Sequence, residues 1–558
     1  MTHRFLAAAA VAIALALAGC AGIPSSGPVE SGDVIDNNVD VPIGFLPSGP
    51  RAGSTVDDIL QDFMTAATNP QDNYETARQF LASSVRETWN PDEIVSIRSG
   101  AFKVDTLSET SRRYTFDQSA EINNTGRYTE EAEATKKELQ FEFVQEDGEW
   151  RIGSLLDGIV LRDDNFDSVF AARPLYFFDP SYTYLVPDTR WFPVTSRITT
   201  RITTALIAGP STWLGNAVVT AFPLGTTLDD VVAVDSGTAT VDLASEAQEA
   251  TPAERNRMVQ QLKASLTNVS TVSSVTLAVG GIPLPVEESS APQAITQPSV
   301  NSLPLVRQGD SLGFATSSDL TILSAASAAI TQLSATGGAY AIGRNTLALR
   351  SDAGVYAAVS GAEPLLLEAG DDFVDPSIDE FGYVWTAKKG DVASITAWQA
   401  NGAPVPIDVS SLPVGARVVS LDVSRDGTRL LLSLTTDEGA VLGIAGINRQ
   451  EGKPQLLGEF TVLSTSDATP LDAAWVNDRS VVSLTAAGTF ARVITYDIGG
   501  PSTDIGMVEG GVSITAVGSG GTAFLRVLSS DGTVWKPRST TWQDTGIDAS
   551  FLATQQPG

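Results

Sequence analysis

Cysteine and histidine are almost absent from this sequence of 558 residues. Cys20 is the one cysteine and His3 the one histidine, so both stand near the N-terminus. The remaining sequence has no imidazole and no thiol, which excludes Ser-His-Asp and Cys-His nucleophilic sites, His- or Cys-ligated metal sites and internal disulfides. An enzyme built from it would need paired carboxylates, a Ser-Lys pair or oxygen-ligated calcium.

Basic residues are also scarce. The sequence has 35 Lys and Arg against 66 Asp and Glu, which gives a formal net charge of -31. Phosphate contacts need basic patches, so this balance argues against nucleic acid as a partner, and anionic lipid headgroups would repel the chain. With 42% hydrophobic and 18% charged residues, the composition predicts folded domains, and the length favours three or four of them.

The N-terminus carries an uncharged run of 15 residues, 5–19, directly after Arg4. A basic start, an apolar run and a small-residue cleavage site predict a secretory signal peptide over residues 1–19. The alternative is an uncleaved membrane helix, but a bilayer span needs about 20 apolar residues. We therefore expect residues 1–19 to be removed.

The end of this run, Leu17-Ala18-Gly19-Cys20, resembles the bacterial lipobox. The resemblance implies cleavage before Cys20 and attachment of S-diacylglycerol and an N-acyl chain to that residue. Two or three acyl chains anchor a protein stably, whereas one holds it only reversibly. The protein is therefore expected at the cell membrane, lipid-anchored on the extracytoplasmic face. Residues 20–50 are rich in Pro, Gly, Ser and Asp and predict a lipidated tether.

Residues 51–172 predict a first α+β domain. Ser54 or Thr55 can cap a helix, and apolar residues follow at helical spacing. After Phe102 the apolar residues alternate as in strands, and Asp147-Gly148 predicts a turn between two of them. Helices followed by a strand meander are similar to nuclear-transport-factor-2-like cups.

Residues 173–281 predict a second α+β domain, with helices near Ile198 and Met258 and a hairpin around Asp235. Its segments follow the order found in GerMN domains: Ala208-Gly209-Pro210, Phe222-Pro223-Leu224-Gly225-Thr226, Gly237-Thr238-Ala239-Thr240-Val241-Asp242-Leu243 and Val275-Thr276-Leu277-Ala278-Val279. This resemblance implies an interaction module without catalytic residues.

Residues 282–304 contain five prolines and predict a stiff linker that holds the following domain clear of the first two. From 305 to 558 the sequence has short strand-like runs and repeated polar turns, whose residues Ser377, Ser424, Asn477 and Ser519 are spaced by 47, 53 and 42 residues. A similar turn is found at 351–354. This period predicts a β-propeller of about five or six blades, with a pair of β-sandwiches as the alternative.

Candidate catalytic groups are weakly supported. The acidic doublets at 130–131, 163–164, 229–230 and 371–372 are typical of a solvated surface in so acidic a chain. Asp426-Gly427 and Asp531-Gly532 are first of all turn sequences. Convergent Asp, Glu and Arg at the inner ends of several blades would favour a cell-wall hydrolase or lyase instead, and an enclosed polar pocket in the first domain would favour a solute-binding protein.

Lipobox, α+β cup, GerMN-like domain, Pro-rich segment and propeller, in that order, resemble the LpqB lipoproteins of actinobacteria. This resemblance implies a non-enzymatic accessory of the MtrA–MtrB two-component system, with a role in cell-envelope homeostasis and division. It also implies one partner, the extracytoplasmic region of a sensor histidine kinase. No catalytic, cofactor or metal residue is predicted, and Cys20 is the one assigned site.

Replacing Cys20 by Ser is expected to leave an unlipidated precursor that keeps residues 1–19, because the thioether to the diacylglycerol cannot form. Metabolic labelling with an alkyne fatty acid measures lipidation, and gel mobility measures cleavage. Labelling of Cys20→Ser at the wild-type level would contradict the assignment.

Overall fold

The structure, a computed structural model, describes residues 47–286, 292–359 and 361–557. The predicted signal peptide, Cys20 and nearly all of the tether lie outside the described residues. Within the described ranges, no helix is both long enough and apolar enough to cross a membrane.

The first domain is an α+β unit, as predicted. Thr55 caps its first helix: its hydroxyl accepts from the backbone N–H of Asp58, whose carboxylate accepts from the N–H of Thr55 in return. The helices are α1 (Val56–Ala66), α2 (Glu75–Arg78), α3 (Ser83–Arg86) and α4 (Asp163–Val169). The strands are β1 (Ile94–Ser108), β2 (Ser111–Asn123), β3 (Tyr128–Glu146), β4 (Glu149–Ser154) and β5 (Ile159–Arg162).

The five strands form one sheet in the order β4-β3-β2-β1-β5. Neighbours are antiparallel except β1 and β5, which pair in parallel over Val95–Arg98 only. The apolar face of the sheet and of α1 bury a core that includes Phe63, Tyr114 and Phe141. Beyond Arg98, no other strand of the described chain pairs with the outer edge of β1.

The second domain begins with a long hairpin. Its elements are β6 (Phe170–Phe178), β7 (Leu185–Pro193), α5 (Ile198–Ala208), β8 (Ala233–Asp235), β9 (Thr238–Leu243), α6 (Pro252–Leu266), β10 (Ser274–Val279) and β11 (Ile282–Pro283). Gly209, with φ of 103°, ends α5 where the Gly-Pro pair predicts it. The sheet order is β11-β10-β9-β8, and β6 and β7 form a separate two-stranded sheet, to which Val219 adds a bridge at Phe178.

The rest of the described chain forms six blades of four strands, lettered A to D from the centre outwards. Blade 1 is β36 (Phe551–Gln556), β12 (Leu305–Gln308), β13 (Ser311–Ala315) and β14 (Leu320–Ile322), and α7 (Ser324–Leu333) follows it. Blade 2 is β15 (Gly337–Ala341), β16 (Thr346–Ser351), β17 (Gly354–Val359) and β18 (Leu365–Ala369). Blade 3 is β19 (Ser377–Ile378), β20 (Val384–Lys388), β21 (Asp391–Trp398) and β22 (Pro404–Pro406).

Blade 4 is β23 (Arg417–Val423), β24 (Arg429–Thr436), β25 (Gly439–Gln450) and β26 (Lys453–Leu457), and β27 (Thr461–Ser466) also pairs with β25. Blade 5 is β28 (Pro470–Trp475), β29 (Ser480–Ala487), β30 (Phe490–Asp497) and β31 (Ser502–Glu509). Blade 6 is β32 (Gly511–Ala516), β33 (Leu525–Ser529), β34 (Thr533–Arg538) and β35 (Thr541–Asp548).

The last strand closes the ring. β36 pairs antiparallel with β12 and parallel with β15, so the chain end supplies the inner strand of the first blade. This closure excludes the sandwich alternative. The repeated turns at 379–383, 424–428, 476–479 and 517–524 all connect strands A and B, whereas the turn at 351–354 connects strands B and C of blade 2. The sequence pattern therefore misassigned the turn at 351–354, which is not equivalent to the other four turns.

The segment 282–304 does not hold the propeller clear of the second domain. Its first residues form β11, and the backbone of Ile295 hydrogen-bonds with Thr183 and Leu185 at 2.9 Å. Further on, Val300 donates its N–H to the carbonyl of Gly518 in blade 6. The described residues of this Pro-rich segment therefore run along the surfaces of the second domain and the propeller and do not form a free spacer.

The second domain and the propeller share one apolar core. Blades 4 and 5 contribute Leu431, Leu442, Ile444, Ala473, Trp475, Val481, Tyr496 and Ile498 to the cluster formed by the second domain. Polar contacts also connect the first domain to blades 4 and 5. The Glu130 carboxylate accepts from the N–H of Ser502 at 3.0 Å, and Arg127 donates to the Thr461 hydroxyl at 3.1 Å.

Trp191 joins all three domains. It lies on β7 of the second domain, its ring packs 4.6 Å from that of Phe166 and 5.7 Å from that of Tyr128, and both partners belong to the first domain. Its indole N–H donates to the carbonyl of Gly499 in blade 5 at 2.7 Å. The buried side chain of Trp191 thus packs its ring against the first domain and donates a hydrogen bond to the propeller.

We expect Trp191→Ala to lower the free energy of unfolding by about 3–5 kcal/mol, the usual cost of deleting a buried tryptophan. Trp191→Phe keeps a ring but loses the hydrogen bond to Gly499, so its cost is expected to be nearer 1 kcal/mol. Denaturant midpoints and limited proteolysis at the domain junctions measure both effects. Wild-type protease resistance in Trp191→Ala would contradict this role.

Candidate partner-binding end of the propeller

The turns between strands A and B are built by short side chains that accept backbone hydrogen bonds. In blade 4 the Asp426 carboxylate accepts from the N–H of Thr428 at 3.0 Å and from the Ser424 hydroxyl at 2.7 Å. In blade 3, Asp379 accepts from the N–H of Tyr383 at 2.8 Å, and in blade 5 the Asn477 side chain accepts from the N–H of Arg479 at 2.7 Å. The Asp-Gly sequence at 426–427 thus specifies a turn.

Three buried arginines connect these turns from blade to blade. Arg429 pairs with Asp426 and donates to the carbonyl of Asp478 in blade 5 at 2.7 Å, with its guanidinium 4.7 Å from the Trp475 ring. Burial opposes ionisation of Asp426, yet the charge of Arg429 and the neighbouring hydroxyl donors hold the pKa of Asp426 below its ordinary value.

The other two arginines reach blades 3 and 6. Arg449 pairs with Asp379 at 2.6 Å and lies 4.1 Å from the Phe381 ring. Arg425 donates to the carbonyls of Ala516 and Gly518 at 3.0 and 2.8 Å, and burial lowers its pKa to about 10. The sequence pattern does not distinguish these arginines as buried, although Arg425 and Arg429 flank the Asp-Gly turn in the repeat.

The second domain covers this end of the propeller. Tyr184 and Tyr176 of this domain lie in its shared cluster with blades 4 and 5 or beside it, and their phenol groups are near the carboxylates of Glu380 and Asp478, respectively. Burial, with a smaller effect of these carboxylates, raises the pKa of both tyrosines. We call this end, which carries the A–B and C–D turns, the closed end.

The A strands line the centre of a propeller. Asp422 of blade 4 and Asp472 of blade 5 lie on these strands. Asp422 accepts from the Ser377 hydroxyl at 3.0 Å and from the N–H of Trp475 at 3.2 Å, and burial raises its pKa to about 6. Asp472 accepts from the N–H groups of Ile514 and Ala473 at 2.8 Å. Burial, and to a smaller extent the charge of Asp375, raises the pKa of Asp472 to about 7.

These convergent charges are the pattern that would favour a hydrolase. The closed-end carboxylates, however, are paired with arginines beneath another domain, and both channel carboxyls already accept backbone hydrogen bonds. In the described ranges, no cluster of acidic, histidine or cysteine side chains is arranged to hold a metal ion. The arrangement is that of a cross-linked scaffold.

The opposite end is open. Successive strands of a blade run antiparallel, so the B–C turns and the connections between blades lie at the end away from the closed one. All six described B–C turns have exposed tips, at 309–310, 352–353, 389–391, 437–438, 488–490 and 530–531.

The open end is acidic. Its turn tips carry six acidic residues, Asp310, Asp352, Asp391, Asp437, Glu438 and Asp531, against one basic residue, Lys389. The connections between blades add exposed Asp371, Asp372, Asp375 and Asp467 and one exposed arginine, Arg417, and Asp375 pairs with Arg350 at 2.6 Å. The doublet 371–372 therefore belongs to this surface. Phe490 and Met507 add an exposed apolar spot at the same end.

The first domain has an open surface depression. Its volume is about 450 Å³, and it lies between the start of α1 and the β3–β4 turn. The one buried charged group there, Arg112, donates to Asp57 at 2.6 Å and to the carbonyls of Ser108 and Ser111 at 2.8 and 3.0 Å. Because Arg112 is already engaged by the protein itself, this depression is not the enclosed pocket with free polar groups that would favour solute binding.

The raised pKa of Asp422 predicts a dependence of stability on pH. The pKa of Asp422 is about 6 in the folded protein and 3.8 in the unfolded chain, so the folded protein holds the proton more tightly. Ionisation of Asp422 therefore lowers the free energy of unfolding as the pH rises above 3.8, and this decrease levels off above about pH 6. Asp422→Asn does not titrate, so wild type is expected to lose about 1 kcal/mol relative to it between about pH 5 and about pH 7.5. Denaturant midpoints at both pH values test this, with exposed Asp437→Asn as control; a pH-independent difference would contradict it.

Three family models match consecutive parts of the chain. "Lipoprotein LpqB, N-terminal domain" matches residues 49–167, "Sporulation and spore germination" matches 174–285, and "Lipoprotein LpqB beta-propeller domain" matches 313–549. Among solved structures, the first GerMN domain of the sporulation protein GerM from Bacillus subtilis aligns at 26% identity, covering 23% of this chain and 97% of that domain, with a TM-score of 0.18.

Two curated relatives share the name Lipoprotein LpqB. Lipoprotein LpqB of Cutibacterium acnes is 24% identical over 544 residues, which cover 89% of each chain. Lipoprotein LpqB of Thermobifida fusca is 31% identical over 313 residues, which cover 53% of this chain and only half of that protein. With both LpqB models and the germination model matched in the order of the three folded domains, the chain belongs to the LpqB family of lipoproteins.

Proposed function

We propose that this protein is a lipid-anchored, extracytoplasmic, non-enzymatic binding protein that captures another protein at the acidic open end of its propeller. The observation that carries the proposal is the difference between the two ends. The second domain occupies the closed end, while the open end presents six exposed turns with six acidic residues and one basic residue. Exposed loops on a rigid scaffold are where recognition residues concentrate.

The proposed partner is the extracytoplasmic region of a sensor histidine kinase of the MtrA–MtrB type, through which the protein would act on cell-envelope homeostasis and division. The lipoprotein family supports an anchor, for which Cys20 is the proposed site. Protein and kinase would then share one membrane, which raises their effective concentration. The acidic end calls for a basic partner surface, because opposite charges speed encounter and like charges suppress it.

The channel supports a non-enzymatic role. Catalytic carboxylates must reach a substrate, whereas Asp422 and Asp472 are engaged with backbone N–H groups inside the ring. An activity assay with cell-wall polymer is therefore expected to show no turnover. Turnover that is lost in Asp472→Asn would overturn this part of the proposal.

The binding test uses charge reversal rather than deletion of the propeller, since deletion would expose the core shared with the second domain. The open-end variant is Asp352→Lys/Asp437→Lys/Glu438→Lys, which changes three acidic residues on two exposed turn tips. The control is Asp229→Lys/Asp230→Lys/Glu246→Lys, which makes the same change of charge on exposed residues of the second domain.

Binding of each protein to the purified extracytoplasmic region of the kinase is measured by surface plasmon resonance at low and high salt. The open-end variant is expected to bind at least about tenfold more weakly, mostly through slower association, and to lose the salt dependence of wild type. The control variant is expected to keep most of the wild-type affinity. Equal loss in both variants, or none in the first, would contradict binding at the open end.

A further inference from the structure

Among the residues that the structure describes, no strand pairs with the outer edge of β1 beyond Arg98, so this stretch is a free strand edge of the first domain. Its partner β5 covers only Val95–Arg98, and nearly all residues from Gly100 to Ser108 are exposed. Such an edge presents unpaired N–H and C=O groups and is a template for another strand. The ladder with β2 is regular from Phe102 to Thr106, so this stretch is straight enough to pair on its other side.

Two apolar side chains on this edge, Phe102 and Val104, are only partly covered by the domain. Phe102 and Val104 stand opposite Phe116 and Tyr114 of β2, which lie in the domain core. They therefore point to the core side of the sheet, and the Phe102 ring stacks on Tyr114 at 4.8 Å. Even so, Phe102 is 48% exposed and Val104 is 39% exposed. A strand added at this edge would extend the core over both.

We propose that this edge pairs with the same edge of a second copy, antiparallel about a two-fold axis at Val104. In that register Val104 faces Val104, Phe102 faces Thr106, and Lys103 of each copy faces Asp105 of the other. Lys103 and Asp105 already lie on one face of the strand, 2.7 Å apart within the chain. The edge is thus complementary in charge to itself.

The register also fits the space available. Pairing centred on Val104 places Gly100 opposite Ser108 at each end of the new ladder. The next residues inward, Val95–Arg98, are those already paired with β5. The new ladder therefore fills the free part of the edge and stops where β5 begins, which joins two five-stranded sheets into one of ten strands. A lysine usually protects an edge from pairing, but here it meets an aspartate.

The contact is small, so the dimer is expected to be weak in solution. Lateral confinement by the proposed lipid anchor would raise its population at a membrane. The geometry itself does not depend on that anchor, or on the proposed function of the propeller, and it can be tested on the soluble chain of residues 21–558.

Sedimentation equilibrium from micromolar to near-millimolar concentrations measures self-association of wild type, Lys103→Glu, Asp105→Lys and the double variant. Each single substitution turns two attractive cross-strand pairs into two repulsive ones, so each is expected to weaken the dimer about tenfold. The double variant restores both pairs and is expected to recover wild-type association. An equimolar mixture of the two single variants should also associate, because the glutamate introduced into one copy then faces the lysine introduced into the other.

Lys136→Glu is the matched control, since Lys136 is an exposed lysine of the same sheet, paired with Asp117 at 3.9 Å and away from the edge. It is expected to associate like wild type, and thermal unfolding checks that all variants are folded. A wild type that stays monomeric at every concentration would overturn the proposal, and would leave the edge to residues 21–46 or to another protein. Single variants that associate like wild type, or a folded double variant that does not recover, would overturn it equally.

Discussion

Apolar burial between the second domain and blades 4 and 5 decides which surfaces of this protein remain available. Eight side chains of those blades lie in the second domain's cluster. Full burial of an aliphatic side chain contributes about 1.5–3 kcal/mol, so an interface of this kind is far stronger than the contact between loosely tethered domains. Because it seals one end of the ring, the two ends of an otherwise symmetric architecture become chemically different.

Arginine has a particular task at the sealed end. The chain has few basic residues, yet blade 4 buries three arginines at this end. Their guanidinium groups connect blade 4 to blades 6, 5 and 3. A guanidinium has five donors in a fixed plane and can bind a carboxylate, a carbonyl and an aromatic face together, which an ammonium group cannot do. Buried ion pairs add little net stability compared with apolar packing, but removing one partner is costly. Their effect is therefore to fix the angles between blades.

Local patterns predicted the local structure well. The capping residue Thr55, the Gly209 that ends α5 and the Asp-Gly turn of blade 4 all lie where their chemistry requires. The turn period predicted the propeller because each blade repeats one local unit. The turn at 351–354 was misplaced because B–C and A–B turns use the same Ser, Asp and Gly chemistry, and only strand pairing distinguishes them.

Contacts between residues far apart in the sequence could not be predicted from local patterns. Trp191 and Gly499 are 308 positions apart, and nothing in the sequence near either predicts their hydrogen bond. The prolines of 282–304 predicted a spacer because proline excludes helix and inner strand, but an extended segment can equally run along a folded surface, as Ile295 does beside Thr183. The acidic character of the open end was also hidden, since its residues come from five separate turns and from the connections between blades.

The charge of the open end also bears on how an anchored protein would stand at a membrane. A chain of net charge -31 is repelled by anionic headgroups, and this repulsion falls off within a Debye length of about 8–10 Å. An anchor at Cys20 would hold only the first domain's side of the chain near the lipid, through a tether of about 30 residues. The acidic turns would then be driven away from the headgroups rather than laid upon them. A partner for that end must rise above the membrane surface, which favours a folded extracytoplasmic domain over the lipid itself.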